Sequence, residues 1–140
     1  MKNNFTYERS PFYYETDRMD VIHHSNYIRW FEEARIDFMK KVGFPYDKME
    51  SIGIMMPVLS AECKYKNSVR FGDTVFIETS ISVFNGFKME LEYRICDKQT
   101  GKLCATGSTS HCFTDLQMKP IRINKTHPEI FELFKNMLDE

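Results

Sequence analysis

Apolar side chains recur at helical spacing in the first third of the chain. Their successive steps of four, three, four and four residues place them on one face of a helix: Tyr27, Phe31, Ala34, Phe38 and Val42. Ser25 or Asn26 is expected to cap the start of this helix with its side-chain oxygen. Gly43 and Pro45 predict its end, because glycine suits the left-handed cap and proline cannot continue the helix. A further short helical turn is predicted within residues 45–53.

The period of the pattern changes to two from Met56 onward. Apolar and polar side chains then alternate along four segments, which predicts four strands: residues 59–66, 75–83, 87–95 and 103–114. Asn85-Gly86 predicts a tight hairpin between the second and third strands, because both residues tolerate positive φ. Residues 97–101 predict another turn. Gly107 interrupts the last strand and indicates a bulge or a close approach of another group to the backbone.

Shorter elements are predicted on both sides of this region. The aromatic segment Phe12-Tyr13-Tyr14-Glu15 predicts a strand before the long helix. A terminal helix is predicted from the apolar positions near the end of the sequence: Ile130, Phe131, Phe134, Met137 and Leu138. Two starts fit this helix. Thr126 and Glu129 have the spacing of a capping box, whereas His127 could cap a helix whose first residue is Pro128.

The order of the predicted elements is a strand, a long helix, four strands and a helix. Strands joined by short turns form an antiparallel sheet whose apolar face needs a cover, and the aromatic helix is the expected cover. The 140 residues include 42% hydrophobic side chains, enough for one core in a single domain over residues 1–140. The fold class is therefore α+β.

The charge and cysteine content exclude several classes of partner. The formal net charge of −1 offers no basic surface for nucleic acid or for an anionic membrane. No apolar run approaches the roughly 20 residues that span a bilayer, and the first residues show no apolar segment of a secretory signal. The four cysteines have no C-x-x-C spacing. We therefore expect a cytoplasmic protein with reduced thiols and without a nucleic-acid or membrane partner.

Charged and imidazole side chains concentrate just before the long helix. They are Glu15, Asp17, Arg18, Asp20, His23 and His24. Asp17 has the chemistry of a general base or nucleophile, and the free N–H groups at the helix start, around His24 to Tyr27, can polarise a carbonyl oxygen. A solvated loop leading into a capped helix is the ordinary alternative. A metal site is a further alternative, but the spacing of these carboxylates and imidazoles matches no metal signature.

Several segments resemble the signature of the hotdog-fold acyl-CoA thioesterases. The most specific segment is YYETDRMDVIHHSNY over residues 13–27, followed by WFEEAR over residues 30–35. Weaker segments follow in the right order, VRFGD over residues 69–73 and ATGSTSHCF over residues 105–113. The closest branch is the 4-hydroxybenzoyl-CoA thioesterase-like group, which includes small bacterial thioesterases associated with the Tol-Pal system. The resemblance covers roughly residues 8–125.

This resemblance implies a hotdog fold, in which a five-stranded antiparallel sheet wraps around one long central helix, with a C-terminal helix. It places the catalytic carboxylate at Asp17 and the N–H that holds the thioester carbonyl at His24. The His24 side chain would orient Asp17, contact the ligand or merely pack. Asn26 and Tyr27 are candidates for substrate binding, with cap and core as their alternative roles. Glu32 on the helix is an alternative catalytic carboxylate, and no metal or organic cofactor is implied.

The resemblance also implies an acyl-CoA substrate, or an acyl carrier protein thioester, and a homodimer or homotetramer with sites at subunit interfaces. Four basic residues are candidates for contact with CoA phosphates, although such residues are usually solvated: Lys64, Lys66, Arg70 and Lys88. A non-catalytic hotdog protein that binds acyl-CoA is the alternative function. Asp20 stands where the family usually has glycine, which indicates a left-handed backbone that aspartate tolerates better than most residues.

Overall fold

A computed structural model describes residues 5–138 of the chain. The strands within this range are β1 (Phe5–Arg9), β2 (Val58–Tyr65), β3 (Val75–Phe84), β4 (Lys88–Asp97) and β5 (Leu103–Cys112). The helices within it are α1 (Ser25–Lys41), α2 (Tyr46–Ser51), α3 (Ile123–Thr126) and α4 (Pro128–Lys135). The predicted long helix, the short helical turn after it and the four consecutive strands are therefore confirmed.

The five strands form one antiparallel sheet with the order β1-β3-β4-β5-β2. Helix α1 covers one face of this sheet and buries Trp30, Phe31 and Phe38 at 0% exposure. The Phe38 ring meets Phe5 of β1 edge to face, with the ring centres 5.3 Å apart. Aromatic packing of this kind joins the helix to the sheet. The expected hotdog architecture, a five-stranded antiparallel sheet around one long helix, is confirmed.

Gly107 of β5 lies directly against the Phe31 ring of α1. A Cβ atom at this position would overlap that ring and would lie 2.7 Å from the carbonyl oxygen of Glu62. Phe31 also stacks on Tyr93, the β4 partner of Gly107, with ring centres 4.4 Å apart. The predicted close approach to the Gly107 backbone is therefore confirmed, and the approaching group is the helix side chain.

The predicted strand over residues 12–15 is wrong. Tyr13–Glu15 form a single 3-10 turn, and the first strand lies earlier in the chain, at Phe5–Arg9, where it pairs with β3. The Glu15 carboxylate accepts the N–H of Phe12 at 2.8 Å, which closes the segment into a turn. The two tyrosines therefore point away from the core, with Tyr13 at 74% and Tyr14 at 78% exposure.

The start of α1 is capped differently from the expectation. His24 occupies the cap position, and neither Ser25 nor Asn26 supplies a side-chain cap. The imidazole of His23 takes this role in part, since its Nδ1 accepts the N–H of Ser25 at 3.1 Å. The end of the helix agrees with the sequence, because Gly43 has a φ of +91°.

Helix α4 confirms one of its two predicted starts. Its first residue is Pro128, and His127 occupies the cap position. The predicted capping box does not form, because the Thr126 hydroxyl donates to a carbonyl oxygen of the preceding turn. Phe134 of α4 is fully buried and packs against Phe84 of β3, with ring centres 5.6 Å apart. The C-terminal helix thus extends the core beyond the end of α1.

Strand β2 forms one edge of the sheet. It pairs with β5 on one side, and no strand of residues 5–138 pairs with its other side. Three large apolar side chains on this strand are about half exposed, namely Val58 at 49%, Leu59 at 52% and Tyr65 at 50%. An edge of this length with apolar side chains is a surface that proteins usually cover or pair.

Disulfide bonds and membrane-spanning helices are absent from residues 5–138. All four cysteines are free thiols: Cys63, Cys96, Cys104 and Cys112. Among the helices of residues 5–138, none is long and apolar enough to cross a membrane.

Candidate active site

A tight loop between the 3-10 turn and α1 carries Asp17. Thr16 and Ile22 form an antiparallel bridge at the base of this loop. Inside it, the Asp17 N–H donates to the carbonyl oxygen of Val21 at 2.8 Å, and the Asp20 N–H donates to that of Asp17 at 3.3 Å. Asp20 has a φ of +63°, the left-handed conformation expected from the family's glycine. Backbone hydrogen bonds therefore define the position of Asp17.

The Asp17 carboxylate is held by one of its two oxygens. Oδ1 accepts the N–H of Met19 at 2.7 Å and the N–H of Val21 at 3.3 Å. Among residues 5–138, no group donates a hydrogen bond to the other oxygen, Oδ2. The side chain is thus oriented by the loop while one oxygen stays available for a ligand or a water molecule.

The backbone N–H of His24 stands free at the start of α1. The N–H groups on both sides of it are bound, since His23 donates to the Glu15 carbonyl oxygen at 2.8 Å and Ser25 donates to the His23 ring at 3.1 Å. Within the described residues, the His24 N–H has no acceptor. A free N–H at the positive end of a helix favours a partly negative oxygen.

Asp17 and His24 open on the same cavity, which has a volume of about 340 Å³. The lining residues come from the loop, the start of α1 and the end of β2: Asp17, Met19, Val21, Ile22, His24, Tyr27, Tyr65, Lys66, Asn67 and Ser68. The structure therefore brings together three of the residues predicted from the sequence, Asp17, His24 and Tyr27. Of the four basic candidates, Lys66 lines this cavity, whereas Lys64, Arg70 and Lys88 do not.

Two tyrosines form one wall of the cavity. Tyr27 is 3% exposed, and its ring meets Tyr65 edge to face with the ring centres 5.0 Å apart. Burial raises the pKa of Tyr27 to about 12, so its hydroxyl stays neutral at physiological pH. The Tyr65 hydroxyl donates to the His24 carbonyl oxygen at 3.1 Å. Sequence analysis missed Tyr65, because its alternation within β2 is that of an ordinary strand residue.

The remaining candidates lie outside the cavity lining. Asn26 is 7% exposed, and its amide donates to the carbonyl oxygens of Glu15 at 3.1 Å and His23 at 3.2 Å. These bonds tie the helix to the loop. The side chain of Glu32 is 65% exposed and lies 3.9 Å from Arg35, away from the Asp17 loop.

The carboxylates and imidazoles of the loop do not converge on one point. Among residues 5–138, no three His, Cys, Asp or Glu side chains are placed to hold a metal ion. The His23 ring instead bonds to the Ser25 hydroxyl at 2.8 Å and stacks on His24, with ring centres 4.2 Å apart. The structure therefore gives no support to the metal-site alternative.

The sequence matches a family of known enzymes. Residues 13–132 fit the model of the thioesterase-like superfamily. The chain belongs to this superfamily. As a member of it, with relatives named as thioesterases over most of its length, the protein is a thioester hydrolase.

Two solved structures and one curated relative illustrate the similarity. A DHNA-CoA thioesterase from Staphylococcus aureus is 34% identical, with a TM-score of 0.88 over 95% of this chain and 89% of that chain. The acyl-CoA thioesterase YbgC of Haemophilus influenzae is 24% identical over 96% of this chain and 99% of its own. A 1,4-dihydroxy-2-naphthoyl-CoA thioesterase from Synechocystis is 18% identical, with a TM-score of 0.83 over 96% and 97%, and shows the shared fold.

Proposed function

We propose that this thioesterase-like protein hydrolyses acyl-CoA thioesters to a free acid and CoA, with Asp17 as the general base or nucleophile. The backbone N–H of His24 would hold the thioester carbonyl oxygen. One observation carries the proposal: a carboxylate oxygen and a backbone N–H, both without partners among residues 5–138, belong to residues that line one cavity. Thioester hydrolysis needs a group to activate the attack and a donor to stabilise the oxyanion.

Two routes follow from this arrangement. In the first, the Asp17 carboxylate takes a proton from water as the water oxygen attacks the carbonyl carbon, and the C–S bond breaks to release CoA, which receives the proton. In the second, the Asp17 carboxylate attacks the carbonyl carbon and the C–S bond breaks to release the CoA thiolate. Water then hydrolyses the resulting anhydride to the free acid and the Asp17 carboxylate, and the remaining proton goes to the CoA thiolate. In both routes the negative charge on the carbonyl oxygen faces the His24 N–H. One such donor stabilises the transition state enough to raise the rate roughly 10²–10³-fold.

The substrate class is supported by the relatives and by the lining of the cavity. The similar proteins are named for acyl-CoA and DHNA-CoA. Tyr27 and Tyr65 offer an aromatic wall, and Lys66 offers a positive charge that suits a CoA phosphate. An acyl carrier protein thioester presents the same thioester group. Thiol release from a panel of aliphatic and aromatic acyl-CoA thioesters, together with an acyl carrier protein thioester of one of the same acyl groups, distinguishes these substrates.

Asp17→Asn tests the assignment of the carboxylate. The amide keeps the size of the side chain and its hydrogen bond from Met19, but it cannot act as base or nucleophile. We expect kcat/KM to fall by roughly 10²–10⁴-fold with fold and oligomeric state unchanged. Asp20→Asn is the matched control, because it removes the same charge from the same loop and should remain active. Activity of Asp17→Asn close to that of the wild type would reject the assignment.

A further inference from the structure

Glu15 is the most completely bonded carboxylate next to the candidate site. Its side chain is 4% exposed and accepts four hydrogen bonds. Arg9 donates to both oxygens, at 2.8 Å and 2.9 Å. The Phe12 N–H donates to Oε1 at 2.8 Å, and the Trp30 indole N–H donates to Oε2 at 3.1 Å. Every favourable acceptor position of the carboxylate is therefore used.

These bonds also fix the ionisation of Glu15. Burial raises the pKa of the carboxyl group, but the hydrogen bonds from Arg9, Phe12 and Trp30 outweigh it and leave the pKa below its usual value. The charge is thus permanent at neutral pH. A buried, paired carboxylate of this kind holds its neighbours in one geometry, because any movement would leave a charge without its partners.

The main chain of Glu15 reaches both halves of the candidate site. Its carbonyl oxygen accepts the N–H of His23 at 2.8 Å and the Asn26 amide at 3.1 Å. Asp17 follows Glu15 by two residues, and His24 follows His23 directly. One residue therefore connects the segment that carries the carboxylate with the segment that carries the free N–H.

We propose that Glu15 is a positioning residue that fixes the Asp17 carboxylate relative to the His24 N–H. Its side chain anchors the loop to β1 through Arg9 and to α1 through Trp30, and its carbonyl oxygen holds the start of the helix. The proposal rests on the proposed function, in which Asp17 and the His24 N–H act on the same thioester. Nothing in it requires Glu15 to touch the substrate, since Glu15 is not among the residues that line the cavity.

Glu15→Gln tests this role. The amide has nearly the same shape, but its NH₂ group faces N–H donors, so part of the hydrogen-bond set is lost. We expect kcat to fall roughly 10- to 100-fold, because small displacements of reacting groups have effects of that size. KM should change little, because the tyrosines and Lys66 of the cavity wall are untouched.

Glu33→Gln is the matched control. Glu33 also pairs with Arg9, at 2.8 Å, and accepts the Tyr7 hydroxyl at 3.0 Å, but it has no hydrogen bond to the Asp17 loop. The Glu33→Gln variant should lose a similar ion pair and keep the kcat of the wild type. Trp30 provides a second readout, since it is the single tryptophan of the chain and bonds directly to Glu15. Its fluorescence emission should shift in Glu15→Gln and stay constant in Glu33→Gln.

The possible outcomes separate this inference from the proposed function. If Asp17→Asn is inactive but Glu15→Gln keeps the wild-type kcat, the positioning role is wrong and the proposed function stands. If Asp17→Asn remains active, the proposed function fails first. Equal losses of kcat in Glu15→Gln and Glu33→Gln would also overturn the inference. They would show that the loss of an ion pair with Arg9, and not the bonds of Glu15 to the loop and the helix, lowers kcat. If Glu15→Gln does not fold, Trp30→Phe removes one donor to the carboxylate, and an unchanged kcat in that variant would reject the role.

Discussion

At the scale of single residues, the left-handed conformation of Asp20 could be predicted from the sequence, whereas the burial of His111 could not. Asp20 stands at a glycine position of the family, and its φ of +63° has the sign that such a position indicates. His111 looks like an ordinary strand residue in the sequence. Its environment includes side chains from two other elements, Tyr93 of β4 and Arg35 of α1, which local patterns do not reveal.

His111 lies at the end of a buried polar chain. Its Nε2 bonds to the Thr109 hydroxyl at 2.8 Å, Thr109 bonds to Tyr93 at 2.7 Å, and the Tyr93 hydroxyl accepts from Arg35 at 3.2 Å. Within residues 5–138, Nδ1 of His111 has no partner and is fully buried. Burial and, after it, the nearby Arg35 charge lower the pKa of His111 to about 4.

This histidine predicts a loss of stability in mild acid. The pKa in the folded state is about 4, below the ordinary value of about 6.5 in the unfolded state. The contribution of His111 is therefore complete above pH 6.5 and is lost as the pH falls towards 4. Between pH 7.5 and pH 4.5 we expect the wild type to lose about 2 kcal/mol more than His111→Gln, which cannot ionise. Urea unfolding at both pH values measures this difference, and equal losses in the two proteins would contradict it.

At the scale of elements, periodicity identified α1, the strands β2 to β5 and the end of α1, because each depends on residues near in sequence. The first strand was misplaced because its evidence is non-local. Phe5 and Tyr7 of β1 pair with β3, and Arg9 turns towards the core only because Glu15 and Glu33 neutralise it. A sequence pattern cannot show which arginine has such partners.

The contact between α1 and the sheet at Gly107 predicts a coupled effect of two substitutions. Gly107→Ala places a Cβ in the space of the Phe31 ring, and overpacking of this kind costs about 1–3 kcal/mol. Phe31→Leu removes the ring and costs stability by itself. In the double variant the overlap with the ring is absent and only the close contact with the Glu62 carbonyl oxygen remains, so its loss should be smaller than the sum of the two single losses. Urea unfolding of the wild type, the two single variants and the double variant measures these losses of stability. Strictly additive losses would mean that the contact between Gly107 and Phe31 does not limit the packing of α1 on the sheet.

At the scale of the whole molecule, the part of the candidate site that comes from the loop and the start of α1 was predictable, and the part that comes from β2 was not. Asp17, His24 and Tyr27 lie in one continuous segment, so their grouping followed from the motif. Tyr65 reaches the cavity from the end of β2, and its bond to the His24 carbonyl oxygen spans 41 positions in the sequence. Such a contact depends on the position of the edge strand against the helix, which only the assembled sheet defines.

The same edge strand predicts self-association. β2 has one unpaired side within residues 5–138 and exposes Leu59 at 52%. We propose that two copies of the chain pair along this side of β2 and form the homodimer that the family resemblance implies. We therefore expect sedimentation to give at least twice the chain mass of 16.7 kDa. Leu59→Lys should shift the protein towards the monomer, because a charged side chain on an edge opposes strand pairing. Leu116→Lys is the matched control, since Leu116 is 51% exposed outside the strands.

Activity measured on the same variants decides whether the site depends on this pairing. The cavity opens beside Tyr65, at the end of β2, so a second copy on the side of β2 that is unpaired within residues 5–138 would lie next to the cavity. We therefore expect kcat/KM to fall with the dimer fraction in Leu59→Lys and to remain constant in Leu116→Lys. A wild type that sediments at 16.7 kDa at micromolar concentration and is fully active would reject both the pairing and the shared site. A monomeric Leu59→Lys with full activity would keep the pairing but show that each chain holds a complete site.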